Sequence, residues 1–137
     1  MRLLILCDIV LLLTIPFALA QSGTFVPYLV YGNGLQFEDP DASVYTLACG
    51  AVLAAQGYTT IGQITGPGLA GFVNVTGPHS PLCSRCAVLG ENERSIAVQI
   101  VDGSAEGGFV LTPVVYEDLV GSDTPPPVYA AEIWGYC

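Results

Sequence analysis

Residues 82–109 read LCSRCAVLGENERSIAVQIVDGSAEGGF. A Cys-x-x-Cys, Cys83 to Cys86, stands at the mouth of an apolar strand. Over residues 95–102, Ile96, Val98 and Ile100 share one face, the period of two expected of a strand. Asp102 has the same parity, so the acid lies on the line that points into the core, at the strand's end. Full burial of an unpaired carboxylate costs several kcal/mol or raises its pKa. The economical position is a barrel mouth, touching both core and solvent. Gly103, Gly107 and Gly108 then let backbone or a ligand approach closely. This stretch predicts a stapled β-barrel with a lone carboxylate at its rim.

Residues 1–20 carry Arg2, an apolar run from Leu3 to Leu13 and Ala18-Leu19-Ala20. That is the pattern of a secretory signal peptide, cut after Ala20. The run falls short of the roughly 20 apolar residues that span a bilayer. The remainder, 21–137, supports one domain with one modest core. Three arginines and no lysine face twelve acids, a net charge of −9 at pH 7. Loss of Arg2 together with Asp8 leaves that balance unchanged. Nucleic acid is excluded as a partner, because its binding needs a cationic footprint. Anionic membrane is disfavoured for the same reason. A neutral partner suits this surface.

The five cysteines become four once Cys7 is removed: Cys49, Cys83, Cys86 and Cys137. In a small exported domain these read as two disulfides, with three pairings open. A zinc site wants more soft ligands than a chain whose sole histidine is His79 can offer. A redox pair belongs at a helix start in a thioredoxin-like α/β pattern, which this sequence lacks. Neither a metal nor a cofactor is implied.

Gly and Pro punctuate the chain, favouring short strands and turns. Asn33-Gly34 signals a tight turn, and Pro125-Pro126-Pro127 a stiff loop. Two helices are expected. Residues 50–56 are alanine-rich and stop at Gly57. Thr112 caps a second helix with Pro113 at its first position; Leu111, Val115 and Leu119 fall on one side, and Gly121 ends it. In a last strand, 129–137, Ala131, Ile133 and Cys137 share an inner face, with Glu132, Trp134 and Tyr136 on the other.

Short strands, two small helices and this cysteine placement resemble a six-stranded double-psi β-barrel, mainly β in class. More narrowly, the sequence resembles the cerato-platanins, small secreted fungal proteins related in fold to the first domain of expansins. Leu47-Ala48-Cys49 resembles the family's first cysteine segment, and Gly57-Tyr58-Thr59-Thr60-Ile61-Gly62 its Gly-Tyr-Thr-Thr-Phe-Gly. Residues 77–83, GPHSPLC, lie where the family carries Gly-Trp-Asn-Ser-Pro-x-Cys. Cys83-Ser84-Arg85-Cys86 stands for its Cys-Gly-x-Cys, residues 95–102 for its Ser-Ile-x-Val-x-x-x-Asp, and Gly108-Phe109 for the Gly-Phe beyond. Cys137 matches the last cysteine. The chain departs from the family at Pro78-His79, which replaces Trp-Asn, and at Ala87, which replaces an aromatic. Its early segments Pro27-Tyr28-Leu29 and Tyr31-Gly32-Asn33 lack the family's acid.

The resemblance implies pairing of Cys49 with Cys83 and of Cys86 with Cys137. It implies a secreted, non-catalytic protein that binds neutral wall polysaccharide, chitin or cellulose fragments, with expansin-like loosening and sensing by a plant host receptor. Sugar hydroxyls want carboxylate and amide partners, and ring faces want flat aromatic surfaces. Asp102 is the first candidate contact, followed by Tyr28, Tyr31 and Trp134. Asn74-Val75-Thr76 is an N-glycosylation acceptor. Hydrolysis is the alternative, and it needs a second carboxylate about 5–9.5 Å away, for which Asp39, Asp41 and Glu106 are available. A host-interaction or protease-inhibitor protein without glycan binding is the third class.

Overall fold

The computed structural model describes residues 26–91, 94–121 and 128–137. The expected signal segment 1–20, the loop Pro125-Pro126-Pro127 and the side chains of Glu132, Trp134 and Tyr136 lie outside that description.

Val, Leu, Ile and Tyr concentrate in short runs between Gly and Pro, a composition suited to a half-buried pleated surface. Such runs form β1 (Val26–Tyr31), β2 (Gly68–Phe72), β3 (Arg85–Glu91), β4 (Arg94–Gly103), β5 (Phe109–Leu111) and β6 (Val128–Tyr136). Their hydrogen-bonded order is β1-β5-β2-β4-β3-β6, and β6 pairs back onto β1 to close a barrel. Two neighbour pairs are parallel, β1 with β5 and β2 with β4; the other pairs are antiparallel. The protein is thus mainly β with two short helices.

The helices sit where their local chemistry puts them. α1 (Gly50–Ala55) ends at Gln56, and Gly57 at φ 97° takes the left-handed position that favours glycine. α2 (Pro113–Val120) starts at Thr112, whose side chain accepts from Val115 N, and carries Pro113 in its first turn. Leu119 is buried, whereas Glu117 and Asp118 are exposed. Burial, and then the Glu91 carboxylate, raises the pKa of the Tyr116 phenol on this helix above the ordinary tyrosine value.

The barrel centre is aromatic and aliphatic. Phe72 and Phe109 stack with centroids 4.2 Å apart, and Tyr28 meets both edge-on at 5.0 and 5.5 Å. Leu89, Val98, Ile100 and Leu111 are fully buried beside them. Cys49 is bridged to Cys83 and Cys86 to Cys137, with Cα separations of 5.3 and 5.0 Å. The two closely spaced sulfurs of the Cys-x-x-Cys therefore go to different partners.

Two sequence expectations change. First, β2 and β4 shift register between Ala70 and Gly71: Ala70 pairs with Ile100, but Gly71 pairs with Asp102. Val101 is the extra residue of a bulge, so Asp102 leaves the inward line of Val98 and Ile100. Second, β3 and β6 shift register between Arg85 and Ala87, and Cys137 emerges exposed rather than on the inner face. The tight turn expected at Asn33-Gly34 is present as a three-residue turn. Gly34 sits at φ −75°, ψ 53°, and Leu35 N donates to Asn33 O at 2.8 Å, the geometry of an inverse γ-turn.

Candidate functional site

Four consecutive residues of β4, Val98 to Val101, are buried. One face of the strand lines the barrel. Near its end, the chain entering α1 runs close by: Cys49 N donates to Val101 O at 3.2 Å, and Ala48 N donates to Asp102 Oδ1 at 2.7 Å. The same oxygen accepts from Gly103 N at 2.9 Å. The Cys49–Cys83 bridge holds the residue next to Ala48. Asp102 is half-buried, as the rim position requires. Among the described residues no donor reaches its second oxygen, Oδ2. The carboxylate is thus anchored through one oxygen and open through the other.

The turn after Asp102 shapes the adjoining surface. Ser104 Oγ accepts from Glu106 N at 3.2 Å, and Asn33 Nδ2 donates to Glu106 Oε1 at 3.2 Å. That bond joins the start of the chain to the β4–β5 turn across 73 positions. A depression of about 160 Å³ opens there, lined by Asn33, Gln36, Gly103, Ser104, Ala105, Glu106 and Val110. Its polar groups are amide, hydroxyl and carboxylate, the set that hydrogen-bonds sugar hydroxyls.

The aromatic candidates separate. Tyr31 pairs in register with Val110, which lines the depression, and is half-buried. Tyr28 lies three positions back, so it points to the opposite face of β1. There its ring packs on Phe72 and Phe109. Trp134 belongs to β6, near the register shift against β3. Asn74 and Thr76 are both exposed in the turn after β2, with Val75 buried between them. His79 is exposed. Among the described residues, no group of three or more His, Cys, Asp or Glu is placed to hold a metal ion.

The three acids named as possible second carboxylates have their own surroundings. Asp39 Oδ1 accepts from Asp41 N at 3.0 Å, closing a local turn. Asp41 is exposed. Glu106 is tied to Asn33. None shares a hydrogen-bond partner with Asp102.

One polar cluster escaped the sequence reading. Ser84, Gln56 and Gln99 form a side-chain chain from the exposed Gln56 to the buried Gln99, with Ser84 at the centre. The signal was present in two places. Gln99 interrupts an apolar strand, and Ser84 stands where the resembled Cys-Gly-x-Cys carries glycine.

No family model matches the chain. Over 87 residues it is 38% identical to cerato-platanin of Ceratocystis fimbriata f. sp. platani, covering 60% of this chain and 63% of that protein, under two thirds of the relative's length. The solution structure of the fungal elicitor cerato-platanin superposes with a TM-score of 0.64 at 27% identity, covering 77% of this chain and 91% of that one. Cerato-platanin 3 of M. perniciosa shares the fold, with a TM-score of 0.69 at 21% identity over 80% and 94% of the two chains.

Proposed function

Because the chain belongs to the cerato-platanin family, we propose that it is a secreted, non-catalytic binder of neutral wall polysaccharide, chitin or cellulose fragments. We read its two parallel strand pairs within a closed ring as the crossed pairs of a double-psi barrel. The observation that carries the functional reading is the divided carboxylate of Asp102, with Oδ1 held by two backbone amides and no described donor on Oδ2, next in sequence to Gly103, which lines a depression of amide, hydroxyl and carboxylate groups. A sugar hydroxyl donating to Oδ2 makes a charge-assisted bond, about twice as strong as a neutral one. A net charge of −9 without lysine costs nothing against an uncharged polymer. Two disulfides suit an oxidising compartment outside the cell. Recognition by a plant host follows the relative described as a fungal elicitor, and expansin-like loosening follows from binding without hydrolysis. Asn74, exposed in its turn, is the proposed glycan attachment point.

Two variants test this. Asp102→Asn keeps an acceptor for Ala48 N and Gly103 N but turns the open oxygen into a donor. It is expected to fold with little loss of stability and to bind chitin or cellulose oligomers ~10- to 100-fold more weakly, the value of a hydrogen bond to a charged group. Asp102→Ala also strands the Ala48 amide, with an additional stability loss of about 1–3 kcal/mol. Calorimetric titration and thermal unfolding on the same samples separate the two effects. Unchanged oligomer affinity in Asp102→Asn would remove Asp102 from the site.

A further inference from the structure

Ser84 is held at φ 64°, the one non-glycine with positive φ among the described residues. The left-handed region costs an ordinary residue roughly 1–2 kcal/mol, so something must hold the serine there. It is 1% exposed, and its own backbone amide donates to Ile100 O at 2.8 Å. Its hydroxyl donates to Gln56 Oε1 at 2.7 Å and accepts from Gln99 Nε2 at 2.9 Å. The serine thereby fixes the orientation of two side-chain amides drawn from α1's end and from β4.

That orientation leaves two groups without partners. Gln99 is 5% exposed, and no donor among the described residues reaches its Oε1. A buried amide oxygen left unpaired is costly, and such groups in native folds call for an explanation. Gln56 is exposed, and no described acceptor takes its Nε2 hydrogens, so they are free to donate to a ligand. Both residues line one opening of about 260 Å³, together with Tyr58, Thr65, Gly66, Ser84 and the bridged Cys137. Gly66 keeps the opening clear, because a Cβ there would run into Gln99 Oε1. None of these seven side chains is charged. The volume lies just below the roughly 300–1,000 Å³ of pockets for drug-sized ligands, and suits a molecule of one sugar ring or less.

We propose that this opening is a second binding site, separate from the Asp102 rim, for a small neutral molecule that donates O–H or N–H to Gln99 Oε1 and accepts from Gln56 Nε2. Tyr58 and Thr65 offer further hydroxyls. The site does not depend on the glycan reading of the rim, since it uses none of the residues around Asp102.

The test is a titration of the ¹⁵N-labelled protein with N-acetylglucosamine, methyl β-glucoside and acetamide, following the side-chain amide resonances of Gln56 and Gln99. At least one probe is expected to shift both resonances saturably. Ser84→Gly relieves the backbone strain, so it folds, but it releases the two amides; binding is expected to weaken about tenfold, equivalent to ~1.4 kcal/mol. Gly66→Ala closes the opening and is expected to abolish binding, while Asp102→Asn still binds here even if it loses the oligomers at the rim. Absence of shifts with all three probes overturns the proposal, as does equal affinity in Ser84→Gly or response confined to the rim.

Discussion

Replacing Cys49 and Cys83 together by alanine is expected to lower the unfolding free energy by roughly 3–4 kcal/mol, the loop-closure value for their separation. That separation is 34 residues. For a domain of this size the loss corresponds to a fall in melting temperature on the order of 15 °C. The bridge ties the chain entering α1 to the turn before β3, and that same approach supplies the Ala48 amide to Asp102. The variant should therefore lose oligomer affinity along with stability. The Cys86–Cys137 bridge closes 51 residues and is worth about as much. Losing both is expected to leave the domain unfolded, because total stabilities are only about 5–15 kcal/mol. Thermal unfolding of each double variant, followed by circular dichroism, checks both values. A loss below about 1 kcal/mol for either bridge contradicts the assigned constraint.

The second large effect is in the barrel centre. Phe109→Ala is expected to cost about 3–5 kcal/mol through lost burial and the cavity left behind. Phe109 is fully buried, pairs with Val30 of β1 and Phe72 of β2, and stacks on the Phe72 ring. Few neighbours can close the gap, because the residue sits where three strands meet. Tyr28 loses one of its two edge-on partners, and its ring should become more exposed. Phe109→Leu keeps most of the volume and should lose less than half as much. Urea unfolding followed by circular dichroism reads stability, and the Tyr28 ring resonances read its exposure. A mild effect of Phe109→Ala would mean that the stack is not the centre of the core.

Much of this arrangement was legible because local chemistry matched the tertiary result. The alanine-rich segment before Gly57 and the Thr112-Pro113 start both became helices within a residue of the expected limits. The alternation through Ile96, Val98 and Ile100 became β4. The cysteine pairing implied by the resemblance is the pairing present. The bulge at Val101 was not legible. Ile100 and Val101 are both apolar, so the pattern is silent on which one steps out of line, and the shift is set by the partner strand β2. The half-buried, rim-like placement of Asp102 nevertheless emerged, because a carboxylate at a strand end resists full burial. Its anchoring by Ala48 N lies 54 positions away in sequence, beyond any local signal. The same holds for Asn33 with Glu106 and for Ser84 with Gln56 and Gln99, contacts made by topology rather than by neighbouring residues. The odd spacing of Tyr28 and Tyr31 did carry the information that they face opposite ways. It becomes readable once β1 is known to be a strand, and Pro27 argues against that in isolation.

The most direct measurement is a calorimetric titration of the wild-type protein with chitin and cellulose oligomers, followed by mass analysis of the oligomers recovered from the same cell. An uncharged ligand held by hydrogen bonds to carboxylate, amide and hydroxyl groups should give saturable binding that changes little with ionic strength, and the oligomers should come back at their original length. Shortened oligomers, or no heat of binding with either polymer series, would contradict a barrel whose rim holds glycan without cutting it.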